Sequence, residues 1–173
     1  MNSTESDWQL RIDAVWAEMD SLSPEKLVEK IDAIAAERSP NNAVALFERA
    51  GARDSGGFER EAEPLYRAAL ADEKLDANRR AQATIQLGSP LRLLGRLDES
   101  EALLVAELER HMLPGNPRAL HDEARAILAL TYLAQGRAKE AAGLALTVLG
   151  PHLSLYKRSI KGNAAEMVSQ TWE

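Results

Sequence analysis

The sequence contains no cysteine. Disulfides and thiolate metal sites are therefore excluded, and the chain suits a reducing compartment, so a cytoplasmic location is the expectation. Aromatic residues make up only 5%, β-branched residues are sparse, and Ala and Leu carry much of the apolar share. That mixture favours helix over strand. No run of ~18 apolar residues occurs, so no membrane-spanning segment is expected. The stretch from Met1 to Trp8 is polar and acidic with no apolar segment behind it, which does not read as a signal peptide. Excess basic charge is lacking too. The net charge is -6, which argues against nucleic acid and anionic membrane as partners.

What is present is enough for one folded domain. A chain of 173 residues buries roughly 70% of the surface it would expose unfolded. Its apolar residues fall at 3–4 spacing throughout. Trp8, Ile12, Val15, Trp16 and Met19 form one helical stripe, and Leu27, Ile31 and Ile34 form the next. Between them, Ser23 is an N-cap with Pro24 at the first helical position. Further helices are expected over residues 42–54, 58–73, 76–94, 98–112, 118–135, 138–149 and 153–171. Ser55-Gly56-Gly57, Gly95, the loop at 113–117, Gly136 and Gly150-Pro151 separate them. Nine helices and no sheet are predicted.

The helices repeat in pairs. The run Ala62-Glu63-Pro64-Leu65-Tyr66-Arg67-Ala68-Ala69-Leu70 aligns with Ser100 to Leu108 and, more weakly, with Ala141 to Leu149. Each is preceded five residues earlier by a glycine, Gly57, Gly95 or Gly136. The steps from glycine to glycine are 95 − 57 = 38 and 136 − 95 = 41 positions. The physical logic is that of a helix–turn–helix unit. The glycine permits the tight turn, where a positive φ is expected. The small residue (Ala62, Ser100, Ala141) lets the second helix approach the first. Leu87-Gly88 with Leu91, and Leu128-Ala129 with Tyr132, occupy matching places in the first helices.

This large–small–x–x–large pattern with its turn glycine resembles the tetratricopeptide repeat, whose usual period is ~34 residues. The resemblance implies an all-α fold: a right-handed α-α superhelix, or solenoid, of about four helix pairs with a C-terminal capping helix. On that reading residues 1–39 are a divergent first pair, 40–150 hold three repeat-like pairs, and 151–173 form the cap, all in one structural domain. Leu153, Tyr156, Ile160 and Met167 are expected to cover the last pair. A closer resemblance rests on Leu46-Phe47-Glu48-Arg49-Ala50, Asp54-Ser55 and Pro64 to Leu70. Ile85 to Arg96, and Pro151-His152-Leu153 with Tyr156, Arg158 and Ser159, extend it. Together these resemble a bacterial tetratricopeptide family, repeat group 5, over about residues 44–165. Pro90 departs from that family's usual middle motif. The resemblance implies a fold and brings no activity or ligand with it.

Chemistry-bearing motifs are scarce. His111, His121 and His152 have no ligand at metal spacing, and His111 and His121 are expected as exposed caps of helix ends. No metal, cofactor or catalytic residue is expected. Gly56-Gly57 lacks the lysine and strand context of a phosphate loop. No Ser or Thr stands in a nucleophile elbow.

The fifth helix says more. On a 100° wheel, Ala83, Leu87, Leu91 and Leu94 share one face. Asn78, Gln82, Gln86, Ser89 and Arg96 share the opposite one, with Arg92 at its edge. First helices of tetratricopeptide pairs line the concave groove, so these six polar residues form the candidate partner-binding groove. Arginine suits bidentate capture of a carboxylate. Pro90 inside this helix removes the hydrogen bond to the Gln86 carbonyl and is expected to kink it. The dicarboxylate clamp of chaperone-binding relatives is not matched, because its positions here hold Phe47, Gly51, Gln86, Glu123 and Ile127. The expected function is a protein–protein interaction scaffold. It would bind a peptide, a partner protein or a second copy of itself, with no catalysis. The alternative is a small-molecule or peptide sensor acting through a separate output protein.

Overall fold

The computed structural model describes residues 3–112 and 120–169. Their regular structure is wholly helical. In chain order it comprises α1 (Ser3–Ala17), α2 (Pro24–Ala35), α3 (Ala43–Ser55), α4 (Glu59–Ala71), α5 (Ala77–Leu93), α6 (Leu97–His111), α7 (His121–Ala134), α8 (Ala138–Leu149) and α9 (Lys157–Ser169). Short 3-10 turns occupy Met19–Ser21 and Gly150–His152. No helix among the described residues is long and apolar enough to cross a membrane. The expected loop at 113–117, Arg118 at the predicted start of α7, and Thr171 at the predicted end of α9 lie outside the described residues.

The chain divides into two compact units, Met1–Pro90 and Leu91–Glu173. In the first, α2 packs on α3 and α3 on α4. Its core joins Trp8, Ile12 and Val15 of α1 to Leu27, Ile31 and Ala35 of α2 and to Ala45 and Ala52 of α3. The 3–4 spacing dictates this, since it sets one apolar stripe per helix against the next. Ser23 caps α2 by accepting the Lys26 N–H at 3.3 Å, and Asn42 caps α3 through the Ala45 N–H at 3.0 Å. In the second unit, α6 packs on α7, α7 on α8 and α8 on α9. The consecutive packing in each unit is that of a tetratricopeptide-like solenoid.

Three turns are built alike. Gly57, Gly95 and Gly136 have φ of 79°, 78° and 81°, the left-handed region that side chains disfavour. The residue after each glycine donates its N–H back across the turn: Phe58 to Arg53 O at 2.8 Å, Arg96 to Leu91 O at 2.8 Å, Arg137 to Tyr132 O at 2.9 Å. This satisfies carbonyls that a helix end would otherwise leave unpaired. The close-approach residues that follow, Ala62, Ser100 and Ala141, are 0%, 0% and 7% exposed. Ser100 goes further, because its hydroxyl lies 2.9 Å from that of Thr131 in the α6–α7 contact.

Three expectations are corrected. His111 is not an exposed cap but fully buried. It stands on the inner face of α6 one turn from Glu107, whose carboxylate lies 2.8 Å from its Nε2. His121 is half-buried beside it, with the rings 5.6 Å apart. The last helix begins at Lys157, not near Leu153, because Tyr156 has φ 64° and breaks the helix there. Tyr156 is therefore 78% exposed and covers nothing. Met167 does cover the last pair as expected, joined by Ala164 and Val168, and the three close over Gly143 so tightly that a Cβ there would meet Met167 Cβ at 2.7 Å. Finally, α5 stops at Leu93, so Leu94 and Arg96 leave the wheel that was drawn through them.

Candidate functional site

The site is a pocket of about 440 Å³ within the first unit. It is walled by α1, α3 and α5, the first helices of their pairs. From α1 come Gln9, Asp13 and Trp16. From α3 come Phe47, Glu48, Gly51 and Ser55. From α5 and the residue before it come Asp76, Asn78, Arg79, Gln82 and Gln86. The helical period explains the selection, since 9, 13 and 16, like 78, 82 and 86, recur at three or four residues and so share a face. Gly51 gives the Trp16 ring its place, because a Cβ there would stand 3.3 Å from it.

Glu48 is the centre of the electrostatics. It is 5% exposed, and its Oε2 accepts the Trp16 indole N–H at 2.8 Å. Burial pushes its carboxyl above the usual range, while the Trp16 bond, the charge of Arg79 and a Gln9 side-chain bond pull the other way without prevailing. Arg79 is the single cation among the described lining residues. Its guanidinium is already engaged, donating to Asp76 Oδ2 at 2.9 Å and to Gln9 Oε1 at 2.8 Å. Asp76 in turn accepts the Asn78 and Arg79 backbone N–H groups, capping α5. Gln86 presents the opposite condition. Its Oε1 is buried and has no hydrogen-bond partner among the described residues. Such an acceptor costs free energy until a donor arrives.

The six candidate groove residues are distributed as follows. Asn78, Gln82 and Gln86 line the pocket. Ser89 is half-buried on the same helix. Arg92 lies in the second unit, with its Nε buried and without a partner among the described residues. Arg96 lies past the end of α5 and donates to Glu99 at 2.6 and 2.7 Å, a pairing across the turn. Pro90 is buried inside α5. Glu123 of α7 is exposed and Ile127 half-buried.

Glu48, Trp16 and Asp13 are absent from the sequence-based set. Trp16 reads as core from its spacing, and Glu48 reads as surface from its charge. A signal was nonetheless there. Glu48 interrupts the apolar positions Leu46, Phe47 and Ala50, so the helix turns it towards covered ground. Phe47 and Gly51, which are departures from the chaperone clamp and not groove candidates, also lie in the pocket wall.

Elsewhere, Asp32 of α2 is bound by Arg49 at 2.9 Å and by Arg53 at 2.7 and 3.0 Å, both from α3. A second pocket, of about 320 Å³, is lined by Arg125, Lys157 and Lys161 around Leu146, Thr147, Gly150 and Pro151. No group of three or more His, Asp or Glu among the described residues could hold a metal ion.

Comparison with curated proteins and with solved structures found no match. The family described as Tetratrico peptide repeat does match, over residues 43–167. That span takes in α3 to α8, most of α9, all three glycine turns, and the α3 and α5 walls of the pocket. The chain therefore belongs to the tetratricopeptide repeat family.

Proposed function

We propose that the chain is a non-catalytic protein–protein interaction module, cytoplasmic, which binds a peptide or a segment of a partner protein in the α1–α3–α5 pocket. The observation that carries this is the unmet Gln86 carbonyl in the same pocket as a buried Glu48, in a largely polar wall that also holds Asn78, Gln82 and the Trp16 and Phe47 rings. Polar groups so placed give orientation and specificity, and the rings give contact area. A folded chain keeps a buried polar group unpaired at a cost, and a ligand that pairs it is a reason to keep it. Arg92, half-buried, is a further residue proposed to contact the partner.

A second reading is a small-molecule sensor that signals through a separate protein. The pocket volume of about 440 Å³ favours it, since small-ligand sites span roughly 300–1,000 Å³.

Selection of the full chain against a displayed random-peptide library tests the first reading. Enriched peptides should compete with one another and should lose affinity when Gln82→Ala and Gln86→Ala are combined. A library without enrichment, or peptides indifferent to both substitutions, overturns it.

A further inference from the structure

We infer that the group this pocket takes is a guanidinium, carried by an arginine side chain of the partner or by a free guanidino compound. The inference rests on reading the pocket as a binding site and names what enters it.

Three observations converge. First, the pocket has acceptors to spare. Gln86 Oε1 is buried and unpaired among the described residues, Glu48 accepts only from neutral donors, the Trp16 indole at Oε2 and the Gln9 amide, and Asp13 accepts only the Gln9 side chain at 2.8 Å among the bonds described for it. Second, the charge balance is negative. Asp13, Glu48 and Asp76 face one cation, Arg79, which is bound to Asp76 and Gln9. An anion would meet three carboxylates and a single guanidinium. Third, the walls include the Trp16 and Phe47 rings, on which a planar cation packs favourably.

A guanidinium fits better than an ammonium on physical grounds. Its five N–H donors lie in one plane and can serve a carboxylate on one edge and an amide carbonyl on another. An ammonium is compact and strongly hydrated, so it loses more on entering a buried site. Entry of the cation also compensates the buried Glu48 carboxylate, which the protein itself leaves without a full countercharge. Arg79 opposes entry, and its contacts with Asp76 and Gln9 hold it in place at the α1–α5 side.

The test uses the full chain and defined probes. N-acetyl-arginine amide and a seven-residue Gly/Ser peptide bearing one arginine are titrated calorimetrically. Lysine and citrulline counterparts are run beside them, with the Trp16 indole N–H resonance followed by NMR. The arginine probes should bind and shift that resonance. Citrulline, neutral and nearly isosteric, should bind at least ten-fold more weakly, and lysine also more weakly. Glu48→Gln should lower arginine affinity at least ten-fold. Gln86→Leu, which removes no bond described within the protein, should lower it several-fold and serves if Glu48→Gln fails to fold. Absence of binding, or citrulline or lysine binding as well as arginine, overturns the inference. So does arginine binding that neither variant weakens. Library peptides that depend on the pocket yet carry no arginine would overturn it while leaving the interaction reading intact. Binding of the amide without the peptide would uphold the guanidinium and remove the peptide.

Discussion

Asp32 and Glu48 stand in the same unit, on adjacent helices, and are kept in opposite ways. Asp32 is held by two arginines. Burial pushes its carboxyl up, but the hydrogen bonds and charges of Arg53 and Arg49 outweigh that and hold it below its ordinary value. Glu48 is more deeply buried, and an indole supplies its closest bond. One carboxylate is met by two guanidinium groups, and the other by an indole and an amide. The first is what a structural ion pair looks like. The second is a buried acid met by neutral donors, whose neutral form burial favours.

Breaking the first carboxylate should do the most damage. Asp32→Ala should cost about 2–3 kcal/mol, since it strands Arg53, whose side chain is only 10% exposed, without its main partner. Urea denaturation measures this, and a change within about 0.5 kcal/mol would show the triad to be incidental.

Ala62→Leu disturbs the helix pair that carries Glu48 and Arg53, and so separates damage to the scaffold from damage to either acid. Added methylenes at this fully buried position should cost about 1–3 kcal/mol by overpacking. Ala141→Leu should behave alike in the second unit. Ala71→Leu, at an exposed position, should stay within about 0.5 kcal/mol. Equal melting temperatures for the three would mean that the repeat register is misplaced.

The two acids should also part company in their response to pH. The folded value of Asp32 is depressed, so its stabilisation is full above its ordinary value of 3.8 and is lost as pH falls through the folded value. The folded value of Glu48 is raised, so its favourable contribution is full below the ordinary 4.5 and is lost as pH rises through the folded value. The penalty of Asp32→Asn should shrink towards low pH. Glu48→Gln should gain on the parent as pH climbs above 4.5. Parallel pH–stability curves for both variants would erase the distinction between the two sites.

Of the changes at the two acids, the smallest should be the stability change of Glu48→Gln at neutral pH. It keeps an acceptor for the Trp16 N–H and removes a buried charge, so a shift within about 1 kcal/mol, towards greater stability, is expected in a thermal melt. A large loss would make Glu48 structural.

Much of this architecture was legible in the residues themselves. The glycines at 57, 95 and 136 and the small residues five places later announced three turns, and all three have the positive φ expected of them. Local rules suffice for such features, because turn and cap depend on few neighbours. Where packing between distant helices decides, the sequence misled. His111 reads as a cap because it stands near a Pro/Gly loop, yet Glu107 and the α6 interior bury it. Tyr156 reads as a helical apolar position, yet a backbone reversal exposes it. The wheel through α5 grouped Asn78, Gln82 and Gln86, which share a pocket wall, because all three lie on one helix. It missed Glu48 and Trp16, because what unites them with α5 is a meeting of three helices.

The Arg79–Gln9 hydrogen bond bears on how the molecule comes into being. Most contacts described above join helices that follow one another, and such contacts close early because little chain must be gathered to make them. The bond from Arg79 to Gln9 spans 70 positions, and the entropic cost of closure rises with the length enclosed. On a ribosome, the α2–α3–α4 stack can form while α5 is still unmade. Only when α5 emerges and meets α1 does the pocket exist. A ligand there would reward the completed unit and no earlier intermediate, so occupancy would signal that synthesis has passed α5 and that the first unit has closed.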